Sequence, residues 1–441
     1  MKTAAETASE ILRQEMAACW SWRMETDPEL AAAFGLLSQR QSSHALDPRS
    51  LESFAQRLAW LKAALDRVQT KVKREDLDTP EDQLSYDLYV KQLSDYCTYT
   101  PQHKAYLCCV NRLEGPQTDL PLYARYLPVK TSADRAFYVK FIQAIPTQLR
   151  QVTTLLRTGL AEQRTPPKVS LGGVVDQIKG MVEGGLEAFI DPIKNFDEVG
   201  LCQKEIDGPV KDAFVEFATF LEKEYIPNLR DEISAVKGYP DGGAYYRDCL
   251  LFHTTTHMTP DEIHTLGLNE VQRVKDQMEA IAKEAGYEGR LDEYLEYLRT
   301  SPKYEPESAQ ALCARFRDIA GRIAPAMLKL FHLHTLPRMP FSVTETPAAQ
   351  ASMAPAAYYL AGSADPSAPR PGIFYVNTSE LPTRRTYECE ALALHEAIPG
   401  HHTQGAIQGE NLTLPDFRRY SEDRRYFESP CRFPFYTGYI E

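Results

Sequence analysis

Apolar side chains recur at three- and four-residue spacing through most of residues 1–160, a period that commits this part of the chain to helix rather than sheet. Within 51–61, Leu51, Phe54, Leu58 and Leu61 fall on one stripe. Further amphipathic stretches cover about 80–96 and 135–158. Proline lacks a backbone donor and clashes with the preceding turn, so Pro101, Pro116, Pro121 and Pro128 are expected to divide this half into separate helices. At 441 residues the chain is too long for one simple core and suits two or three packed lobes.

Beyond residue 158 the pattern changes. Pro166-Pro167, Gly172-Gly173 and Gly184-Gly185 punctuate 159–200, which reads equally as short helices or as a plain linker. Helix returns over 205–237, and Tyr239-Pro240-Asp241-Gly242-Gly243 is a turn. Thr259-Pro260-Asp261-Glu262 reads as a helix start, with Thr259 as cap, Pro260 in the first position and Glu262 closing a capping box. Residues 372–378, Gly-Ile-Phe-Tyr-Val-Asn-Thr, are short, aromatic and β-branched, and read as a strand. The expectation is a mostly α fold with a small sheet. Its segments are an N-terminal helical lobe (1–160), connecting helices (161–240) and a lobe carrying the chemistry (241–441).

Composition narrows the function classes. Hydrophobic residues make up 43 % and charged residues 25 %, enough to bury a sizeable core. A net charge of -12 with no Lys/Arg stripe argues against nucleic acid as partner. Nine cysteines, odd in number and without a CxxC pair, argue against a disulfide framework and for a reducing compartment. The N-terminus lacks the apolar core of a secretory signal, and no run of about 18 apolar residues occurs, so no membrane span and a cytoplasmic location are expected. No GxSxG, P-loop or GxGxxG is present.

The segment 395–402 reads His-Glu-Ala-Ile-Pro-Gly-His-His. A helical HExxH places two histidines four residues apart on one face to hold zinc, with the glutamate as general base. Here Pro399-Gly400 stand as a two-residue insertion. On an undisturbed helix His395 and His401 would lie about 240° apart and could not converge. The Pro-Gly pair must therefore bulge or break the helix, and the break lets His401 swing back beside His395. His402 recovers the helical face but lies roughly 10 Å along the axis, too far to share an ion, so His401 is the expected ligand. Five fixed identities in seven positions arise by chance about once in ten thousand such chains. Zinc would polarise a scissile carbonyl and acidify water, and Glu396 would take the proton.

At these residues the chain resembles the metallopeptidase-like family catalogued as "domain of unknown function 885". The resemblance is carried by His253-Thr254-Thr255-Thr256 with 259–267, by 355–378, and by HEAIPGHHTQ with its HExxPGHxxQ pattern. It implies a two-lobed, deep-cleft helical fold with a small sheet beside the active-site helix. It also implies a zinc peptidase, and a third ligand from a downstream glutamate. Glu441 stands at that place and is the last residue of the sequence, whereas the family pattern continues further. The chain is expected to be truncated there and to be a poor enzyme.

Several residues beside the motif are candidates for substrate contact. Zinc peptidases of this general layout pair an edge strand with an extended peptide, which nominates Tyr375 and Asn377. Tyr358, Tyr359 and Tyr436 are candidate donors to a developing oxyanion, with aromatic packing as the plainer alternative. Gln404, with His402, is placed behind the ligands, Gln404 orienting His401. His253 and His257 lack the HE context; His332 and His334, at period two, are expected to point apart; Cys108 and Cys109 have no neighbouring base. The expected function is cleavage of short peptides with one zinc ion. Its rivals are a non-catalytic helical binding fragment and a metal-dependent amidase or esterase.

Overall fold

The computed structural model describes residues 6–37, 44–347, 351, 354–362 and 370–420. They are mostly helical, with one small sheet. The chain divides into two compact units, Met1–His257 with Pro415–Glu441, and Met258–Leu414.

The first unit contains α1 (Ala8–Thr26), α2 (Leu51–Lys71), α3 (Pro80–His103), α4 (Pro116–Tyr126), α5 (Ser132–Ala161), α6 (Lys211–Phe220) and α7 (Gly242–Thr254). One core joins Leu12 and Met16 of α1 to Leu61 and Val68 of α2 and to Tyr89 of α3. A second core joins Phe141 and Ile145 of α5 to Phe214 and Phe217 of α6. The amphipathic runs expected near 80–96 and 135–158 are thus α3 and α5. The stripe expected on α2 is partly corrected. Phe54 and Leu61 are buried, but Leu51 is exposed and Arg57 points inward, paired with the buried carboxylate of Asp47. A buried guanidinium is tolerated there because its charge is met.

The prolines are corrected in the same way. Pro116 opens α4 and Pro128 follows it, but Pro101 and Pro121 lie inside α3 and α4. Pro121 removes one helical hydrogen bond, yet burial of Leu120, Tyr123 and Ala124 beside it holds the turn in place. The stretch 159–200 forms short helices, Val174–Glu183 and Glu187–Ile190 among them, and no linker. Leu171, Ile178 and Phe189 from it lie in the same core as α5, so the expected boundary at 160/161 falls inside one hydrophobic cluster. The boundary between units lies at 257/258 rather than 240/241.

The second unit opens with α8 (Pro260–Glu284). Its capping box is as expected, with Thr259 Oγ1 accepting from the Glu262 N–H at 3.3 Å and the Glu262 carboxylate accepting from the Thr259 N–H at 2.8 Å. Thr259→Ala is expected to cost about 1 kcal/mol, read as a lowered urea midpoint at unchanged slope. α9 (Leu291–Thr300) and α10 (Ala309–Ile323) follow, then β1 (Phe341–Glu345), β2 (Ala357–Leu360), β3 (Gly372–Val376), α11 (Cys389–Glu396) and α12 (His401–Glu410).

The three strands run in the order β1-β3-β2. β1 pairs parallel to β3, with Val343 opposite Phe374, and β2 pairs antiparallel, with Tyr358 opposite Tyr375. β3 is therefore the centre of the sheet, and both its edges are occupied. Successive side chains alternate faces. Phe374 and Val376 turn into a core with Phe316 of α10 and with Cys389 and Ala393 of α11. This packing fixes the helix that carries the HE pair.

Among the described residues no helix is long and apolar enough to cross a membrane. Among the described residues, eight cysteines form no disulfide.

Candidate metal centre

α11 is built from good helix formers, Glu390-Ala391-Leu392-Ala393-Leu394, and is anchored by buried Cys389 and Ala393. It ends at Glu396. Ala397 has φ −107° and ψ −94°, outside the helical region, and the Ile398–Pro399 peptide is cis. α12 begins at His401. The Pro-Gly pair thus breaks the helix and starts a second one.

Gly400 makes that break tight. It folds back against the last turn of α11, and a Cβ on residue 400 would fall inside the carbonyl of His395, with the Leu394 carbonyl oxygen beside it. Only glycine allows the two backbone segments to meet so closely. The result is that His401 returns to His395. Their ring centroids lie 4.5 Å apart at 80°. One ligand atom from each of His395, Glu396 and His401 lies within 4.8 Å of the others. Glu396 is buried and His395 is half-buried, with His395 Nε2 4.0 Å from Glu396 Oε1. Two imidazoles of the kind that hold zinc thus meet, with a carboxylate beside them where a general base would stand, so the residues fit the ion.

His402 turns away from this cluster. It is buried, its Nδ1 lies 3.0 Å from the Tyr359 hydroxyl, and its ring packs 4.6 Å from that of Phe341. Burial pushes its imidazole pKa down, opposed by a hydrogen bond to the Met339 backbone and by the Glu410 charge. The Glu410 carboxylate accepts from the N–H groups of Arg338 at 2.8 Å and Met339 at 2.6 Å. His402, Tyr359 and Glu410 together fasten α12 to the sheet and to the segment entering β1. Neither Tyr359 nor Glu410 in this role is signalled by the sequence, because the contacts join residues 43 and 71 apart.

The other expected site residues are placed as follows. Tyr375 and Tyr358 stack at 4.9 Å, on the face of the sheet opposite Phe374 and Val376. They therefore face away from α11, and the edge-strand role expected for 372–378 does not fit a central strand. Asn377 is fully buried: its Nδ2 donates to the carbonyls of Ala351 at 2.7 Å and Ala354 at 2.9 Å, and its Oδ1 accepts from the Ser379 N–H at 3.0 Å. It staples a loop rather than meeting substrate. Tyr359 is on the inward face and engaged with His402. Gln404 has an exposed side chain, and its N–H bonds the Gly400 carbonyl at 3.0 Å in the first turn of α12. Glu441 and Tyr436 lie outside the described residues.

The remaining histidines and the cysteine pair stay apart from this chemistry. α7 ends at Thr254, and Thr255 has φ +52°, so His253 and His257 do not share a helix. His332 and His334, expected to point apart, stack at 5.6 Å because a short 3-10 turn carries them. Cys108 is held by the Arg164 carbonyl and the Tyr239 hydroxyl, and burial pushes its thiol up to about 11, far from a nucleophile's range.

No curated protein matches the chain. Two solved structures share the fold. One is described as a candidate lipoprotein from Colwellia psychrerythraea, with TM-score 0.80 and 22 % identity over 96 % of this chain and 76 % of that one. The other is a candidate lipoprotein of unknown function from Shewanella oneidensis, with TM-score 0.59 and 14 % identity over 94 % of this chain and 74 % of that one. Residues 28–441 match the family described as bacterial protein of unknown function, DUF885, and the chain belongs to that family.

Proposed function

We propose that the chain is a zinc-dependent hydrolase of short peptides, with its metal at His395 and His401 and its general base at Glu396. The observation that carries the reading is the meeting of His395, Glu396 and His401 across the Pro-Gly break. Two histidines that the sequence spaces wrongly for a helix are brought together by a turn whose glycine has no other tolerable replacement. Zinc, when bound, supplies a Lewis acid that polarises the carbonyl and acidifies water. Glu396, buried beside both imidazoles, takes the proton from attacking water and returns it to the departing amine. Glu441 is the proposed third ligand, on the family resemblance. The deep-cleft form expected from the resemblance belongs to the same reading.

The test uses the full chain. Zinc per chain is measured after dialysis, and a mixed peptide library is analysed by mass spectrometry before and after a chelator. About one zinc per chain is expected, with cleavage lost to the chelator and regained with zinc. Absence of both zinc and cleavage would overturn the reading, while cleavage of amides or esters other than peptides would redirect it to the amidase alternative.

Within this reading His401→Ala is expected to lose zinc outright, since each ligand contributes directly to the site. His402→Ala is expected to keep the ion with affinity reduced by about 10–100-fold, because it removes support for α12 and no ligand. Zinc titration of both variants checks the order. The reverse order would make His402 the ligand.

A further inference from the structure

α8 is a 25-residue helix of which, among the described residues, only Ala282 is buried. Val271, Val274 and Ile281 are between 41 and 58 % exposed, and with Met278 they repeat at three- and four-residue spacing. Leu268 flanks the same stripe and is 58 % exposed. A row of this kind is the seam of a two-helix contact, and leaving it in water is unfavourable. The neighbouring α9 follows α8 directly, and its Tyr294 and Tyr297 pack against Tyr287, just past the C-terminal end of α8.

The flanking charges say what fits the seam. In a parallel pair of α8 helices, the residue just before Val271, and its equivalent seven residues earlier, each face the residue five further on in the other helix. That sets Glu270 against the partner's Lys275, twice by symmetry, and Ile263 against the partner's Leu268. An antiparallel pair with the same core would set Lys275 against the partner's Lys275 and Glu270 against the partner's Glu284. Like charges facing each other are unfavourable. We propose that the α8 face is the interface of a parallel, two-fold homodimer of this chain. Glu270 also bonds Arg273 within its own helix at 2.8 Å, an exposed pair that yields readily to a second cation. The seam is about two heptads long, so the dimer is expected to be weak and concentration-dependent.

Sedimentation velocity on the full chain, from micromolar to hundreds of micromolar, tests the proposal. The expected result is a monomer–dimer equilibrium. Glu270→Lys and Lys275→Glu should each weaken association about tenfold, by removing two attractions and adding two repulsions. The double variant carrying both changes should restore it. Val274→Asp should abolish it, and circular dichroism should stay unchanged in all four because these side chains are exposed. A monomer at every concentration overturns the proposal, and a different occupant then covers the stripe. Tighter association in Glu270→Lys would show an antiparallel pair and also overturn it. So would a dimer indifferent to Val274→Asp, which would place the contact elsewhere.

Discussion

Glu396→Gln is expected to keep about one zinc per chain and to cut peptide turnover by roughly 10²–10⁴-fold. The substitution is nearly isosteric, so the packing that buries residue 396 beside His395 and His401 should survive. What is lost is basicity: an amide oxygen cannot take the proton of attacking water. The loss should therefore fall on kcat, with KM little changed, since Glu396 acts in the transition state and not in holding peptide. Zinc content, kcat and KM measured on one preparation separate the roles. Loss of zinc in this variant would make Glu396 a ligand, and unchanged turnover would remove it from the mechanism altogether.

Gly400→Ala should do more damage than its one carbon suggests. The new Cβ would coincide with the His395 carbonyl, and backbone cannot yield as a flexible side chain would. Either α11 unwinds its last turn or α12 shifts away, and in both cases His401 leaves His395. The expected outcome is loss of measurable zinc retention and of cleavage, with most helical content kept, because the cores built on α5 and α6 and on α1, α2 and α3 lie in the other unit. Far-ultraviolet circular dichroism and zinc content on the same sample check it. A neighbouring glycine, Gly405, has open space around its position, so Gly405→Ala serves as the control and should retain zinc. Equal zinc in Gly400→Ala and Gly405→Ala would show that the close approach is dispensable.

These two expectations depend on different parts of the same seven residues. Glu396 tests the chemistry, whereas Gly400 tests the geometry that assembles it. If Gly400→Ala loses zinc and Glu396→Gln loses turnover alone, binding and proton transfer are separable in this site. The role of His402 sits between them, since it fastens α12 through Tyr359 and Phe341 without belonging to the cluster.

What the sequence determined by itself was local. Helical period placed α2, α3 and α5, capping chemistry placed the start of α8 to the residue, and β-branched and aromatic composition placed β3. The incompatibility of six-residue spacing with a straight helix was enough to require a break at Pro399-Gly400 and to set His401, rather than His402, beside His395. Each of these follows from preferences acting within a few residues, where backbone sterics and hydrogen bonding decide. What only the tertiary structure decided was pairing at long range. Nothing in 372–378 says that β3 lies between β1 and β2, so the faces shown by Tyr358 and Tyr375, and the buried staple made by Asn377, were out of reach. The core role of 159–200 depends on partners far along the chain, Phe141 among them, and the inward turn of Arg57 depends on Asp47, which lies outside its own helix. The clamp of His402 on Tyr359 depends on a distant partner too, because burial is a property of where segments meet, and a local period can name a face without naming what covers it.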